Sequence, residues 1–164
     1  MTFAPRTWVV GETVTAALMN TEIRDQFNSF FGAWTSYTPT WTSSTNPSLG
    51  NGTILGRYMK VGRTVTCHVN LVTGSTTTYG SGSYSFGLPA TSANVGCTYI
   101  GNAHLFGTDR WNGQWIVSPN ASVAGPAFPN TATNTRTGLM SSTLPEPLAS
   151  GAQLRMTITY EAAS

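Results

Sequence analysis

Short segments of alternating apolar and polar residues recur along most of this chain, between clusters of Gly, Pro, Ser and Asn. The clearest segment is 63–73, where Val65, Cys67, Val69 and Leu71 alternate with polar residues. A period of two is typical of β-strands that bury one face. Similar segments lie at 53–61, 83–88, 96–107, 113–118, 134–141 and 153–160, and an alternating stretch covers 33–41.

These segments and the turn signals between them predict the fold class. About eight short strands at regular spacing are typical of an antiparallel β-sandwich or jelly-roll-like domain. We therefore expect a mainly β domain over residues 33–164. The stretch 119–130 is expected to be a loop, because Pro126 and Pro129 cannot donate to a strand ladder. We see no internal repeat, which argues against a propeller or a β-helix.

One segment near the N-terminus has helical spacing instead. Its large apolar residues recur at intervals of three and four, which places them on one stripe of a helix. They are Met19, Ile23, Phe27, Phe30 and Trp34. Thr13 or Thr15 can cap the first turn, and Gly32 can end the helix. Residues 1–32 are thus predicted to be an arm followed by one amphipathic α-helix over 16–31.

Such an apolar stripe needs a cover, and two covers are open at this point. The helix can lie on its own β domain, or it can pack in an oligomer or against a partner. Spacings of three and four are also those of a coiled-coil seam, but the stripe is barely two heptads long. Self-pairing of the helices alone would therefore be weak.

Low charge separates this chain from several classes of protein. Charged residues make up 9% of it, the net charge is +2, and Lys60 is its single lysine. A nucleic-acid binder needs a basic patch or stripe, which is missing. No apolar run is long enough for a transmembrane helix, and the N-terminus does not resemble a secretory signal. Synthesis in the cytoplasm is therefore expected.

Residues that could carry catalysis or bind metal are few. Asp109 and Glu146 are the only carboxylates on loops of the β domain, and solvated loop residues are the simpler interpretation. His68 is predicted on the polar face of its strand and Cys67 on the opposite face, so the two cannot act together. Cys67 and Cys97 are expected to be core thiols, and whether they pair stays open. No catalytic residue, metal or cofactor is expected, and the chain is predicted not to be an enzyme.

One loop combines an aromatic residue with polar neighbours, in the order Asp109, Arg110, Trp111 and Asn112. An indole ring can stack on the face of a sugar while Asp, Arg and Asn bind its hydroxyls. These four residues are candidates for contact with a glycan. The alternative is that Trp111 covers the end of the sandwich.

Two parts of the chain resemble known proteins. Residues 8–28 read WVVGETVTAALMNTEIRDQFN, and the later stretches are YTPTW at 37–41, NGTILGRY at 51–58, GRTV at 62–65, GSG at 80–82 and FGLP at 86–89. The first part resembles the opening of small structural proteins of tailed bacteriophages, often from actinobacterial hosts. The later stretches are similar to the β-rich C-terminal domain of the same proteins. The resemblance covers roughly residues 7–90.

The resemblance implies a virion structural protein, either a tail-tip or fibre protein or a capsid-decorating fibre. Such proteins are commonly homotrimers that dock to other virion proteins through the N-terminal segment and expose the β domain. Trp8 then joins the helix stripe as a docking or oligomerisation residue. A host cell-surface glycan is a further candidate partner, whereas nucleic acid and membrane insertion are not expected. A free carbohydrate-binding module is the alternative function.

Overall fold

One helical segment and ten strands occur in the part of the chain that the structure describes. The structure, a computed structural model, describes residues 6–164, apart from the side chains at positions 29, 31, 134 and 135. Residues 1–5 of the predicted arm lie outside the described residues. The strands are β1 (Thr35–Tyr37), β2 (Trp41–Thr42), β3 (Thr53–Val61), β4 (Thr64–Val72), β5 (Ser85–Gly87), β6 (Tyr99–Phe106), β7 (Arg110–Val117), β8 (Val123–Thr131), β9 (Asn134–Leu139) and β10 (Gln153–Glu161).

All pairings between these strands are antiparallel. The order across the sheet is β1-β3-β4-β10-β6-β7-β8-β5-β2, and β9 pairs with β8. The last strand, β10, therefore lies between β4 and β6 and joins the two halves of the sheet. The predicted mainly β, antiparallel, sandwich-like fold with one N-terminal helix is confirmed.

The core lies on the inner face of this sheet, because alternate residues of each strand point to the same side. In β4 the buried residues are Val65, Cys67, Val69 and Leu71, as the alternation predicts. In β10 they are Leu154, Met156, Ile158 and Tyr160. Aromatic residues complete the core, namely Tyr84, Phe86, Trp115 and Phe128.

The sheet is curled, so that strands far apart in its order come together. Tyr37, at the β1 edge, donates a hydrogen bond from Oη to the carbonyl of Gly87 in β5, at 3.3 Å. The backbone N–H of Gly87 in turn donates to Thr40 O at 2.9 Å. Gly56 of β3 has no Cβ where the Tyr37 ring passes, and any larger residue there would meet that ring. The curl is what gives the fold its sandwich-like closure.

Two predictions about strands are wrong. The expected loop at 119–130 contains β8, whose strand partner on one side changes from β5 at Ala124 to β9 at Ala127. Pro126 lies at this change, and Pro129 lies beside a register shift, so each proline occupies a place where the ladder is already irregular. The alternating stretch 33–41, expected as one of the eight strands, forms two short strands instead, β1 and β2, which pair with different strands.

The two cysteines have different environments, and both are free. Cys67 is buried, with its Sγ 3.0 Å from Tyr37 Oη. Burial raises the pKa of the Cys67 thiol to about 11. Cys97 is exposed, so the expectation that it is a core thiol is wrong. It precedes the first residue of β6, Tyr99, and the alternation of that strand does not extend to it.

Candidate functional site

The N-terminal helix begins at a side-chain cap and contains an irregular turn. Thr15 Oγ1 accepts a hydrogen bond from Leu18 N at 3.2 Å, which satisfies one unpaired amide of the first turn. The helix runs as α-helix over Ala16–Met19, as π-helix over Asn20–Arg24 and again as α-helix over Asp25–Phe31. Its extent matches the predicted 16–31, but the π turn alters the angular spacing of the stripe.

The arm before the helix folds back against it through polar contacts. Arg6 forms an ion pair with Glu12, and the backbone N–H of Arg6 donates to Glu22 on the helix at 3.4 Å. The Arg6 guanidinium also lies 5.1 Å from the centre of the Trp8 ring. These contacts hold Trp8 beside the first turns of the helix.

Together the arm and helix present large apolar side chains that stay partly exposed to solvent. Met19, Ile23, Phe27 and Phe30 are all exposed, Phe27 to 58% and Ile23 to 41%. Trp8, Met19 and Ile23 share a shallow groove of about 310 Å³ with Arg6, Val14 and Glu22. The structure thus brings Trp8 together with two predicted stripe residues. We call these five large residues (Trp8, Met19, Ile23, Phe27 and Phe30) the N-terminal apolar surface.

Trp34 was predicted on the same stripe, but the structure places it elsewhere. Gly32 leaves the helix with an extended backbone, so Trp34 follows the helix end rather than its periodicity. The Trp34 ring lies against His68 of β4, with ring centroids 4.8 Å apart. Trp34 therefore belongs to the outer face of the sheet.

The four candidate glycan-contact residues come together at one end of the sheet. The prediction that all four lie on a loop is wrong, because β7 begins at Arg110 and includes Trp111 and Asn112. Asp109, Arg110, Trp111 and Asn112 line a groove of about 530 Å³ with Pro129 and residues 131–133, which we call the loop groove. Trp111 is partly buried and packs against the core, which agrees with the alternative that it covers the end of the sandwich. The Arg110 guanidinium lies over the Phe106 ring, 4.8 Å from its centroid.

Glu146 holds this loop and is not the solvated loop residue that we predicted. Its Oε1 accepts from Thr108 N at 2.6 Å, and its Oε2 accepts from Asp109 N at 3.2 Å and from Trp111 Nε1 at 2.9 Å. Gly107 leaves the space that the carboxylate occupies, since a Cβ there would collide with it. The carboxylate therefore fixes the loop and the edge of the Trp111 ring.

We expect Glu146→Ala to lower the free energy of unfolding by about 1–3 kcal/mol, because it removes one charged acceptor from three donors. Urea unfolding measures the loss, and hydrogen exchange at the amides of Thr108 and Asp109 should become faster. Asp109→Ala is the matched control: it also removes one carboxylate, but none of the described residues donates a hydrogen bond to it, so the effect should stay within about 0.5 kcal/mol. Equal losses in both variants would contradict the role of Glu146.

A third surface was not identified from the sequence. It is a groove of about 760 Å³ on the outer face of β3, β4, β10 and β6, which we call the sheet groove. Its lining includes Trp34, Arg57, His68, Asn70, His104 and Arg155. The polar alternate positions of four strands were visible in the sequence. Their common location was not, because it depends on the pairing of β10 with both β4 and β6.

Within residues 6–164, no three His, Cys, Asp or Glu side chains are grouped in a way that could hold a metal ion. None of the helices in that range is both long and apolar enough to cross a membrane. Comparison of the chain with protein-family models, with curated proteins and with solved structures gives no significant match.

Proposed function

We propose that this chain is a structural protein of a bacteriophage virion, in the class of tail-tip or fibre proteins and capsid-decorating fibres. It assembles as a homotrimer through its N-terminal segment, docks to other virion proteins and exposes its β domain, where host-surface adsorption would take place. It acts by assembly and not as an enzyme. Its location is the particle, after synthesis in the host cytoplasm.

The observation that carries this proposal is the N-terminal apolar surface. Large side chains such as Ile23 and Phe27 stay exposed in the single chain, although the β domain has a hydrophobic core of its own. A symmetric oligomer removes such a surface from water without any further protein. The resemblance of residues 8–28 to the opening of phage structural proteins supports the same assignment.

Light scattering on the full chain tests the assembly. We expect a trimer for the wild-type chain and a monomer for the double variant Ile23→Glu/Phe27→Glu, because two buried carboxylates would oppose packing of the apolar surface. The matched control, Asn20→Glu/Asn28→Glu, adds the same charge at exposed polar positions of the helix and should remain trimeric. A monomeric wild-type chain would contradict the proposal, and so would a trimer that survives both double variants.

The location on a particle has its own test. In purified particles of a phage that encodes this chain, mass spectrometry should find it at a copy number that is a multiple of three. Absence of the chain from such particles would exclude the virion role even if the protein is a trimer in solution.

A free carbohydrate-binding module is the second candidate, and the loop groove around Trp111 favours it. It predicts a monomer in light scattering and quenching of tryptophan fluorescence by neutral sugars that is lost in Trp111→Ala. The oligomeric state therefore separates the two functions before any ligand is known.

A further inference from the structure

The sheet groove collects side chains from strands that are distant in sequence. Strand pairing sets Arg57 opposite His68, His68 opposite Thr157 and Thr157 opposite Asn102. Directly opposed residues in antiparallel strands point to the same face. With strands about 4.8 Å apart, this row extends roughly 14 Å across four strands.

A second row runs parallel to the first, two residues along each strand. It consists of Leu55, Asn70, Arg155 and His104, in register across the same four strands. The two rows place both histidines of the chain and two of its eight basic residues in one groove. Its volume of about 760 Å³ is in the range of small-molecule sites.

The charge in this groove has one sign. Arg57 and Arg155 contribute two guanidinium groups, and none of the described residues that line the groove is acidic. Arg57 donates to the carbonyl of Trp34 at 3.2 Å, and Arg155 donates to Gln153. Neither arginine forms an ion pair in the described part of the chain. An anion in the groove would therefore meet two positive groups with no competing carboxylate.

The groove also offers uncommitted hydrogen-bonding groups. Among the described residues, the side chains of His68, His104, Asn70 and Asn102 have no hydrogen-bond partner, although all four line the groove. Imidazole and amide groups can donate to and accept from hydroxyls. Two rows of such groups suit a ligand with hydroxyls along its length.

One side of the groove is apolar. Trp34 is half-buried and held by its contact with His68, and Leu55 is exposed to 53%. A held indole ring beside polar groups matches the way sugar rings are bound, with the C–H face on the aromatic ring and the hydroxyls on the polar groups.

We propose that the sheet groove binds an acidic saccharide, whose carboxylate or phosphate groups pair with Arg57 and Arg155 and whose ring packs on Trp34. This binding site is separate from the loop groove around Trp111. It goes beyond the virion role and does not depend on it.

Two other occupants fit the groove less well. A second copy of this chain would have to supply acidic groups, but Glu12, Asp25 and Glu161 are paired with arginines and Glu146 is bound to its loop. Of the six acidic residues this leaves Glu22 on the helix and Asp109 directly before β7, which lie on separate elements. Nucleic acid needs a longer run of positive charge than two guanidinium groups and a net charge of +2 provide.

Calorimetric titration of the full chain tests this binding. The probes are trigalacturonic acid for the carboxylate, glucose 6-phosphate for the phosphate, neutral maltotriose and an oligothymidylate. We expect at least one of the two acidic sugars to bind, and to bind more tightly than maltotriose and the oligothymidylate. Arg57→Gln and Arg155→Gln should each weaken that binding about ten- to a hundredfold, because each removes a charge-assisted hydrogen bond.

An arginine outside both grooves is the matched control, since its substitution removes the same charge. Arg63 lies in the β3–β4 turn and pairs with Glu161, and Arg63→Gln should leave binding unchanged. Arg110→Gln separates the two candidate sites, because Arg110 belongs to the loop groove; binding of the acidic sugar in the sheet groove should survive this substitution. Asn102→Asp, which introduces a negative charge at an exposed position, should weaken binding of the acidic sugar without lowering the melting temperature.

Several results would overturn the inference. They are no binding of either acidic sugar at millimolar concentration, equal binding of maltotriose, or equal binding of the oligothymidylate. Loss of binding in Arg110→Gln but not in Arg155→Gln would move the site to the loop groove. These titrations measure binding and the light scattering measures the oligomeric state, so a failure of this inference is distinguishable from a failure of the virion proposal.

Discussion

Replacing Trp115 by alanine should lower the free energy of unfolding by about 3–5 kcal/mol, the range for a large aromatic residue removed from a packed core. Trp115 is fully buried on the inner face of β7. Its cross-strand neighbours are Gly101 in β6 and Pro126 in β8, which are small beside an indole ring. Because neither neighbour has a long side chain that could fill the space, the cavity should persist.

Two variants calibrate this prediction. Trp115→Phe keeps an aromatic ring and removes the indole N–H, which has no hydrogen-bond partner among the described residues, so its loss should be less than half as large. Ile100→Ala removes a large side chain from β6 where it is 62% exposed, and its loss should stay below about 1 kcal/mol. Urea unfolding at neutral pH measures all three. A loss below 1 kcal/mol in Trp115→Ala would mean that the core is not built around this ring.

The sequence predicts best the strands whose alternation is uninterrupted. In β4 and β10, every second residue is apolar over nine positions, and the core face follows directly from that pattern. The β3–β4 turn at Gly62-Arg63 is equally local, because glycine there adopts a positive φ of 56°. Local information is sufficient for these elements.

Strand β8 could not be predicted in the same way. Proline is a local signal against a strand, but its cost depends on whether the missing N–H has a partner waiting on the neighbouring strand. In β8 that partner changes along the strand, from β5 to β9. Only the assembled sheet shows that Pro126 lies at this change, so the sequence pattern alone predicts a loop.

The candidate sites also differ in whether local sequence information is sufficient to predict them. The exposed residues Met19, Ile23 and Phe27 were predicted from helical spacing, which is local. The loop groove was predicted because its residues, Asp109 to Asn112, are consecutive. The sheet groove was not predicted, since Arg57 and Arg155 are brought together by strand pairing across about a hundred residues of sequence. Trp34 was predicted on the apolar stripe because its spacing fits, but the chain leaves the helix at Gly32 and the stripe does not continue to it.

Stability should fall steeply as the pH rises from about 9 to 11. Four buried or half-buried side chains, one thiol and three phenols, have raised pKa values in the folded chain, in each case chiefly through burial. The pKa of Cys67 is raised to about 11 and that of Tyr84 to about 12, and the pKa values of Tyr37 and Tyr160 are raised further. Their neutral forms are held by short contacts, such as Tyr160 Oη to Ala90 O at 2.6 Å and Tyr84 Oη to Tyr79 O at 2.7 Å.

The sign follows from which state releases its protons first. Unfolded thiol and phenol groups ionise near pH 9.0 and 10.0, while the folded ones stay neutral, so rising pH favours the unfolded state. The stability is fully present below about pH 9. By pH 11, Cys67 alone should account for a loss of about 2 kcal/mol and each tyrosine for about 1 kcal/mol.

Urea unfolding at pH 7, 9, 10 and 11 measures this loss, in a Cys97→Ser background that removes the exposed thiol. Cys67→Ala starts from a lower stability because it leaves a cavity, but its stability should decline less steeply between pH 9 and 11, since one ionising group is gone. Tyr160→Phe should flatten the decline mainly above pH 10. An unfolding free energy that stays constant from pH 9 to 11 would show that these groups ionise equally in both states, and that the interior around Tyr37 and Cys67 is open to water.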